Sequence, residues 1–275
     1  MTVLDIESSV PSTSFMKDFL YNHLRDLPYF RALLRAVESS YYQDFDLPAP
    51  ILDLGCGDGD FAQLTFDVPI DVGLDPWHAP IQEAGRRSIY SLLVEADGSA
   101  QPVPNDTFAS AFSNSVLEHI PGVDAVLDEL ARVMRPGAPF YFCVPNQNFL
   151  PTLSIAQFFN RIGLRSLARA YMDFFNRISR HHHCDDPATW RTRLEKTGFT
   201  LEHWWHYFPP RSLHVLEWGH YFGLPSLISR RLFGRWIIAP YRWNLAFTYW
   251  FVKKYADTEP CEDGVYTFYV ARRKT

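Results

Sequence analysis

The stretch ILDLGCGDG at 51–59 holds the densest concentration of chemistry in the chain. An apolar run ends at Gly55, and Gly57 and Gly59 follow at two-residue steps. Glycine admits positive φ and lets a ligand approach the backbone closely. A strand that turns sharply into a helix aims free N–H groups at whatever lies above it. Asp53 precedes the first glycine by two residues, and Cys56 sits between the first two. A second apolar run, PIDVGLD at 69–75, ends in Asp75 and is followed by Pro76. A carboxylate at that point can accept both hydroxyls of a ribose. The dinucleotide fingerprint GxGxxG needs a glycine at position 60, where this chain has Asp60. A pyrophosphate would meet Asp53, Asp58 and Asp60, whereas a ligand with ammonium and sulfonium groups would sit well among them.

That preference points to S-adenosylmethionine (SAM) over a nicotinamide dinucleotide. More polar groups follow at the ends of later apolar runs: Asp97 and Gly98 in ADG, then Asn114, Ser115 and His119 in SNSVLEHI (113–120). His119 reads either as a general base or as a structural part of the turn. The run HHHCDD at 181–186 stands directly before a helix start. Three adjacent histidines do not converge on one metal as an i, i+4 pair on a helix does, so no metal site is expected. The sharper reading has one of them, His182, touching substrate; the plainer one is a loop. Cys56 reads as a small core residue.

These residues require a scaffold of alternating strands and helices. Apolar residues at three- and four-residue steps predict helix over 14–43, interrupted at Pro28. Strands are predicted at 51–55, 69–75, 89–97, 108–114 and 139–144, and short helices at 60–64, 77–87 and 123–134. A helix over 187–197 has Asp186 as N-cap, Pro187 in its first turn and Gly198 beyond its end. Strands at 199–208 and 264–273 follow. Alternation of this kind implies an α/β fold with a parallel sheet covered on both faces. Two stretches interrupt it, 147–185 and 209–263, and insertions of that length in a compact domain are functional or mobile. Ligands of such sheets bind beyond the carboxyl ends of the strands, so both should roof the site. The alternative is a dimer interface or an extra packing layer.

Composition narrows the function. The chain has 275 residues, 47% hydrophobic and 21% charged, with a net charge of −5. That is the composition of a soluble folded protein and excludes a general nucleic-acid binder. Four scattered cysteines with no CxxC fit a reducing compartment, and the N-terminal MTVLDIESSV lacks the apolar core of a leader. A cytoplasmic location is expected. Residues 209–256 stand apart, with seven arginines and lysines against Glu217 alone, and with tryptophan and phenylalanine crowded into 232–252. Basic, tryptophan-rich segments lie at membrane interfaces, so peripheral membrane contact through 209–256 is one expectation and a packed aromatic cap core the other.

Taken in order, LDLGCGDG, Asp75, ADG, SNSVLEHI and RVMRPGAPF (132–140) resemble the class I SAM-dependent methyltransferases, in particular the small-molecule "type 11" branch. The resemblance covers residues 30–145. It implies a Rossmann-like seven-stranded sheet with its last strand antiparallel, in a single methyltransferase domain over 1–275 with N-terminal helices at 14–47 and cap insertions at 147–185 and 209–263. It implies that Asp53 and Gly55–Gly57, Cys56 included, approach the methionine moiety, while Pro76-Trp77 either packs on the adenine or only starts a helix. Asp75 would bind the ribose, Asp97 the adenine amine, and Gly98 would lie against the ring. Asn114 and Ser115 would line the sulfonium side. The implied reaction is methyl transfer from SAM; the motifs say nearly nothing of the acceptor, and the aromatic crowding at 232–252 is what suggests a small, hydrophobic or lipid-like one. The alternatives are a nicotinamide-dependent oxidoreductase, disfavoured by Asp53 and Asp60, and a SAM-binding interaction module without catalysis. A nucleic-acid methyltransferase is further disfavoured because Ser113-Asn114-Ser115-Val116 replaces an Asn-Pro-Pro-Tyr or Asp-Pro-Pro-Tyr motif.

Overall fold

The computed structural model describes residues 17–275; Phe15 and the start of the expected helix at 14 lie outside them. Helices α1 (Phe19–Asp26) and α2 (Tyr29–Tyr41) flank Pro28, whose missing N–H and fixed φ suit a helix start. The central region then alternates as β1 (Ile51–Leu54), α3 (Asp60–Thr65), β2 (Ile70–Asp75), α4 (His78–Ala84), β3 (Tyr90–Glu95), β4 (Ser110–Asn114), α5 (Val123–Val133) and β5 (Pro139–Pro145). The helix expected over 77–87 is only His78–Ala84. The first insertion forms α6 (Ser154–Arg161) and α7 (Arg165–Ser179). Then come α8 (Pro187–Lys196), capped by Asp186 through Thr189 N–H at 2.8 Å as its sequence implied, and β6 (Phe199–Tyr207). The second insertion forms α9 (Pro210–Phe222), α10 (Leu224–Phe233) and α11 (Arg242–Lys253), and β7 (Tyr266–Arg273) ends the sheet.

The strand order is β3-β2-β1-β4-β5-β7-β6, with β7 antiparallel to both neighbours. The side-chain period of two divides each central strand between two cores. Phe140 and Phe142 point to one face, where Leu127 and Leu130 of α5 and Trp190 of α8 cover them. Tyr141 and Cys143 point to the other, with Phe112, Phe268 and the apolar stripe of α2. Burial on both faces is why these strands read as unbroken apolar runs.

The two insertions are locked together by one carboxylate. Glu217 of α9, the single acid in 209–256, is fully buried. It accepts from Ser154 N–H at 2.6 Å, Ile155 N–H at 3.2 Å and the Tyr171 hydroxyl at 2.7 Å. Anionic charge at a helix N-terminus satisfies its free N–H groups, so α9 caps α6. The cap meets the body where α9 crosses α2. A Cβ at Gly219 would lie 2.2 Å from the Cβ of Phe30, so only glycine permits that approach.

Gly219→Ala should therefore destabilise the protein. Alanine gains about 1 kcal/mol of helix propensity, but overpacking costs about 1–3 kcal/mol, and here the clash involves atoms fixed to backbone. A lower urea midpoint is expected, and a raised one would show that α9 and α2 separate freely.

Candidate donor and acceptor site

The turn after β1 has three glycines in left-handed conformation, Gly55 at φ 82°, Gly57 at 54° and Gly59 at 74°. Gly55 is also required by space, since a Cβ there would come within 2.4 Å of Val116. Gly55 and Cys56 N–H both bond to the Leu74 carbonyl, at 2.8 and 3.0 Å. Asp75, at the end of β2, completes the junction by accepting from Gly57 N–H at 3.0 Å and Trp77 N–H at 2.9 Å. A carboxylate has about four lone-pair sites, so two acceptor positions stay free toward the groove. Nothing would meet a Cβ at Gly57, which leaves open space for a ligand.

Above the turn runs a groove of about 680 Å3. Gly55, Cys56, Gly57, Asp75 and Pro76 line one end, Asp97 and Gly98 the other, and Asn114, Ser115 and His119 the floor. All the expected donor-site residues except Asp53 thus converge. Asp53 is buried beneath the turn and takes the Tyr90 hydroxyl at 2.6 Å. Its register partner is Gly73, where any Cβ would strike the Tyr90 ring at 2.9 Å. The tyrosine occupies the space left by that glycine, so Asp53 lies beneath the turn and not in the lining of the groove. Burial raises the Asp53 carboxyl to about 7 and the Tyr90 hydrogen bond opposes the rise. Asp97, by contrast, is held below the ordinary carboxylate range by Ser99 N–H and Oγ. Burial pushes the Cys56 thiol up, so Cys56 is no nucleophile.

The floor rests on a residue that sequence reasoning missed. Glu38 of α2, fully buried, accepts from Arg35 at 2.5 Å, Asn114 Nδ2 at 2.7 Å, Ser115 Oγ at 2.9 Å and the Tyr207 hydroxyl at 3.1 Å. Ser115 is held at φ 52°, a costly conformation for a non-glycine residue. A signal was present: the four-residue step from Phe30 to Leu34 reaches Glu38, an acid on the apolar stripe of its helix.

A second cavity, of about 1000 Å3, lies under the cap. Phe30, Leu34, Phe149, Leu216, Leu227 and Trp236 supply its apolar wall; Arg177, His181, His182 and His220 supply polar groups. The two cavities share Arg31, Arg35, Trp77, Ser115 and His119. His119 therefore stands between them, with Nδ1 donating to the Arg180 carbonyl at 3.0 Å and Nε2 left as acceptor. His182 reaches only the cap cavity, and its backbone N–H bonds to the Glu118 carbonyl at 2.7 Å. The histidine packed against His119 is His181, with ring centroids 5.3 Å apart. His183 turns away to the Ile120 carbonyl and Arg193.

Sheet order, antiparallel last strand and acid-rimmed glycine groove define a Rossmann-like SAM-binding α/β protein. Residues 21–204 match the methyltransferase-domain family, and the chain belongs to it. A 2-phytyl-1,4-naphtoquinone methyltransferase of Synechococcus elongatus is 36% identical over 98 residues, 32% of this chain and 42% of the relative. A malonyl-[acyl-carrier protein] O-methyltransferase of Pseudescherichia vulneris is 31% identical over 107 residues, 38% of this chain and 43% of the relative. The matches thus span well under half the length of these relatives. Among solved structures, a possible histamine N-methyltransferase of Thermotoga maritima shares the fold at a TM-score of 0.53 and 13% identity, covering 94% of this chain and 92% of that one. A geranyl diphosphate C-methyltransferase of Streptomyces coelicolor A3(2) does so at 0.53 and 11%, covering 90% and 84%.

The raised Asp53 carboxyl makes a pH prediction. The unfolded chain ionises this group near pH 3.8, the folded protein near 7. Between those values the folded state binds more protons, so this residue's contribution to stability falls as pH rises through the window and its penalty is complete above 7. Asp53→Asn keeps an acceptor for Tyr90 and removes the titration. Relative to the parent, its urea midpoint should rise between pH 5 and pH 8; parallel profiles would place an ionised carboxylate beneath the turn.

Proposed function

We propose that this protein transfers the methyl group of SAM to a hydrophobic small-molecule or lipid-like acceptor held in the cap cavity. The observation that carries this reading is the shared wall. A donor in the groove and an acceptor under the cap meet at Ser115 and His119. The sulfonium supplies an already activated methyl group, so the chain's task is alignment and exclusion of water, which can contribute about 7–11 kcal/mol. Asp75 would hold the ribose, Asp97 and Gly98 the adenine, and Gly55–Gly57 the methionine end. Arg31 makes no ion pair among the described residues and lies in the shared wall, where burial holds its guanidinium down at about 10. It would receive an anionic group of donor or acceptor. Where the nucleophile must lose a proton, the free Nε2 of His119 faces it, and His182 contacts the acceptor from the cap side.

The second part of the proposal concerns delivery. Helix α10 has no buried residue, and α11 buries only Leu245 and Val252. Phe222, Leu232, Phe233, Trp243, Phe247 and Trp250 are each more than 60% exposed. Arg231, Arg235, Arg242, Lys253 and Lys254 lie among them, exposed as well, while the sole acid of 209–256 is buried as the α6 cap. Leu227 and Trp236 line the cap cavity, so the apolar surface borders its mouth. This favours membrane contact over an aromatic cap core. No helix among the described residues is long and apolar enough to cross a membrane, and an interfacial docking surface needs none. The free cysteines fit work at a cytoplasmic membrane face.

Two measurements test the proposal. Asp75→Ala removes hydrogen bonds to a charged acceptor, worth roughly 1.5–3 kcal/mol, and should weaken S-adenosylhomocysteine binding about 10–150-fold by calorimetry; equal affinity would remove Asp75 from the donor site. The protein should float with anionic liposomes. Trp243→Ser together with Trp250→Ser, both fully cap-surface substitutions, should stay at the bottom of the gradient. Parent protein that does not float would eliminate membrane delivery and leave the cap cavity as the acceptor site.

A further inference from the structure

The turn after β4 and the histidine run meet at a cluster on the cap-cavity side of the wall, where only His119 also lines the donor groove. One ligand atom each from Glu118, His119 and His181 lies within 4.8 Å of the others. Glu118 is 1% exposed, and its Oε2 has no hydrogen-bond partner. An unpaired buried carboxylate is costly; Arg35, the positive charge that favours its ionised form, is hydrogen-bonded instead to Glu38 at 2.5 Å. His119 Nε2 lies 3.7 Å from Glu118 Oε1. Its Nδ1 donates to the Arg180 carbonyl, which is how metal-ligating histidines are held in the ligating tautomer. His181 has a comparable outer partner, with Cys184 Sγ 3.7 Å from Nδ1. Two backbone bonds, His182 N–H and His183 N–H to the Glu118 carbonyl at 2.7 and 3.2 Å, pin the two segments together.

We infer that Glu118, His119 and His181 form a binding site for one divalent transition-metal ion, with its open coordination positions facing the cap cavity. Two imidazoles and one carboxylate suit Zn2+, Co2+, Fe2+ or Mn2+ better than Mg2+ or Ca2+, which prefer all-oxygen sets. Ligand atoms around such an ion stand about 3–3.5 Å apart at bond lengths near 2.1 Å, so the three side chains close by roughly 1 Å on binding. The expectation of no metal came from asking whether the three adjacent histidines could share an ion. The cluster uses only one of them, with the other two ligands from 62 and 63 residues upstream in sequence. In the proposed methyl transfer, on which this consequence alone rests, a hydroxyl of the acceptor would bind at an open position. Its pKa would fall there as that of metal-bound water does, so the hydroxyl would give its proton to solvent water, and its oxygen would take the methyl as the sulfonium bond breaks and S-adenosylhomocysteine leaves; His119 would then act as ligand and not as free base.

Titration of the whole protein with Co2+, free of SAM, tests the site by calorimetry and by the visible d–d absorption of the bound ion. One equivalent should bind, with the absorption of an imidazole-containing site of low coordination number. Loss of outer partners already weakens metal sites about 10–100-fold, so His119→Ala, His181→Ala and Glu118→Gln should each lose at least about tenfold in affinity. His182→Ala should bind as the parent does. S-adenosylhomocysteine affinity, measured on the same samples, certifies folding and reports on the donor groove separately. No saturable Co2+ binding by the parent, or binding undiminished in a His181→Ala protein that still takes S-adenosylhomocysteine, would overturn the site. Co2+ binding by a parent that takes no S-adenosylhomocysteine would leave the metal site standing and overturn the methyltransferase reading instead.

Discussion

The buried carboxylate of Glu38 is the interaction on which the site depends. It joins four partners drawn from three parts of the chain: Arg35 beside it on α2, Asn114 and Ser115 at the end of β4, and Tyr207 at the end of β6. An ionised carboxylate out of water is tolerated only when its lone pairs are filled, and loss of one partner from such a group typically costs about 3–5 kcal/mol. The floor of the donor groove, the packing of the N-terminal helices and the strand that leads into the second insertion are thereby one energetic unit. Helix α2 cannot withdraw without unmaking the conformation of Ser115. It also carries Arg31 and Arg35 into the wall between the cavities, so docking the helix and building the site are the same event.

Around the glycine turn the protein gathers acids, and it treats them unequally. Burial raises the Asp75 carboxyl, two backbone N–H groups oppose the rise, and the side chain lines the groove. Burial lifts Asp53 to about 7 and Asp60 to about 6, the latter opposed chiefly by Arg87 at 3.0 Å. Near neutral pH the turn therefore carries less negative charge than its four aspartates suggest, which limits self-repulsion in the empty groove. The remaining charge faces the position that a cationic ligand would occupy. The argument against a pyrophosphate then rests on the acids around the turn that line the groove, Asp58, Asp60 and Asp75, and not on every acid in the motif.

Most of the sheet was legible because its signals are local. Strand runs bounded by glycine, proline and aspartate gave boundaries within about two residues, and the donor-site residues fall at strand ends where topology alone brings them together. What stayed hidden depends on partners distant in sequence. Glu38 bonds to groups 76, 77 and 169 residues away, so no window along the chain contains the reason for its burial. The burial of Asp53 was hidden because strand register puts it opposite a glycine, and the side chain that fills the gap comes from β3. The insertions were recognised by length and composition, but not helix by helix. Leu224, Leu227, Ile228 and Leu232 of α10 do recur at three- and four-residue steps, but none of them is buried, so the pattern alone did not show what that face meets.

That exposed face has a physical reading. The apolar stripe of a helix ordinarily faces a core, yet α10 buries nothing, and α11 presents Trp243, Phe247 and Trp250 outward. Such an exposed surface is a cost to a protein alone in water and becomes a gain against a partner that covers it. On the proposed reading an anionic bilayer would cover it with modest force, about 1 kcal/mol per basic residue near the surface, plus what the aromatic rings would gain on insertion. Attachment of that strength would be reversible. The same helix reaches inward, with Leu227 in the cap cavity and Arg230 in the donor groove, and Arg230 stacks on Trp236 at 4.8 Å from the ring centroid. A force applied to α10 by a lipid surface would therefore act directly on the walls of both cavities. Glu217 makes the arrangement workable, because it fastens α9 to α6 and leaves α10 and α11 as the outer layer, free to meet a surface without dismantling the roof beneath them.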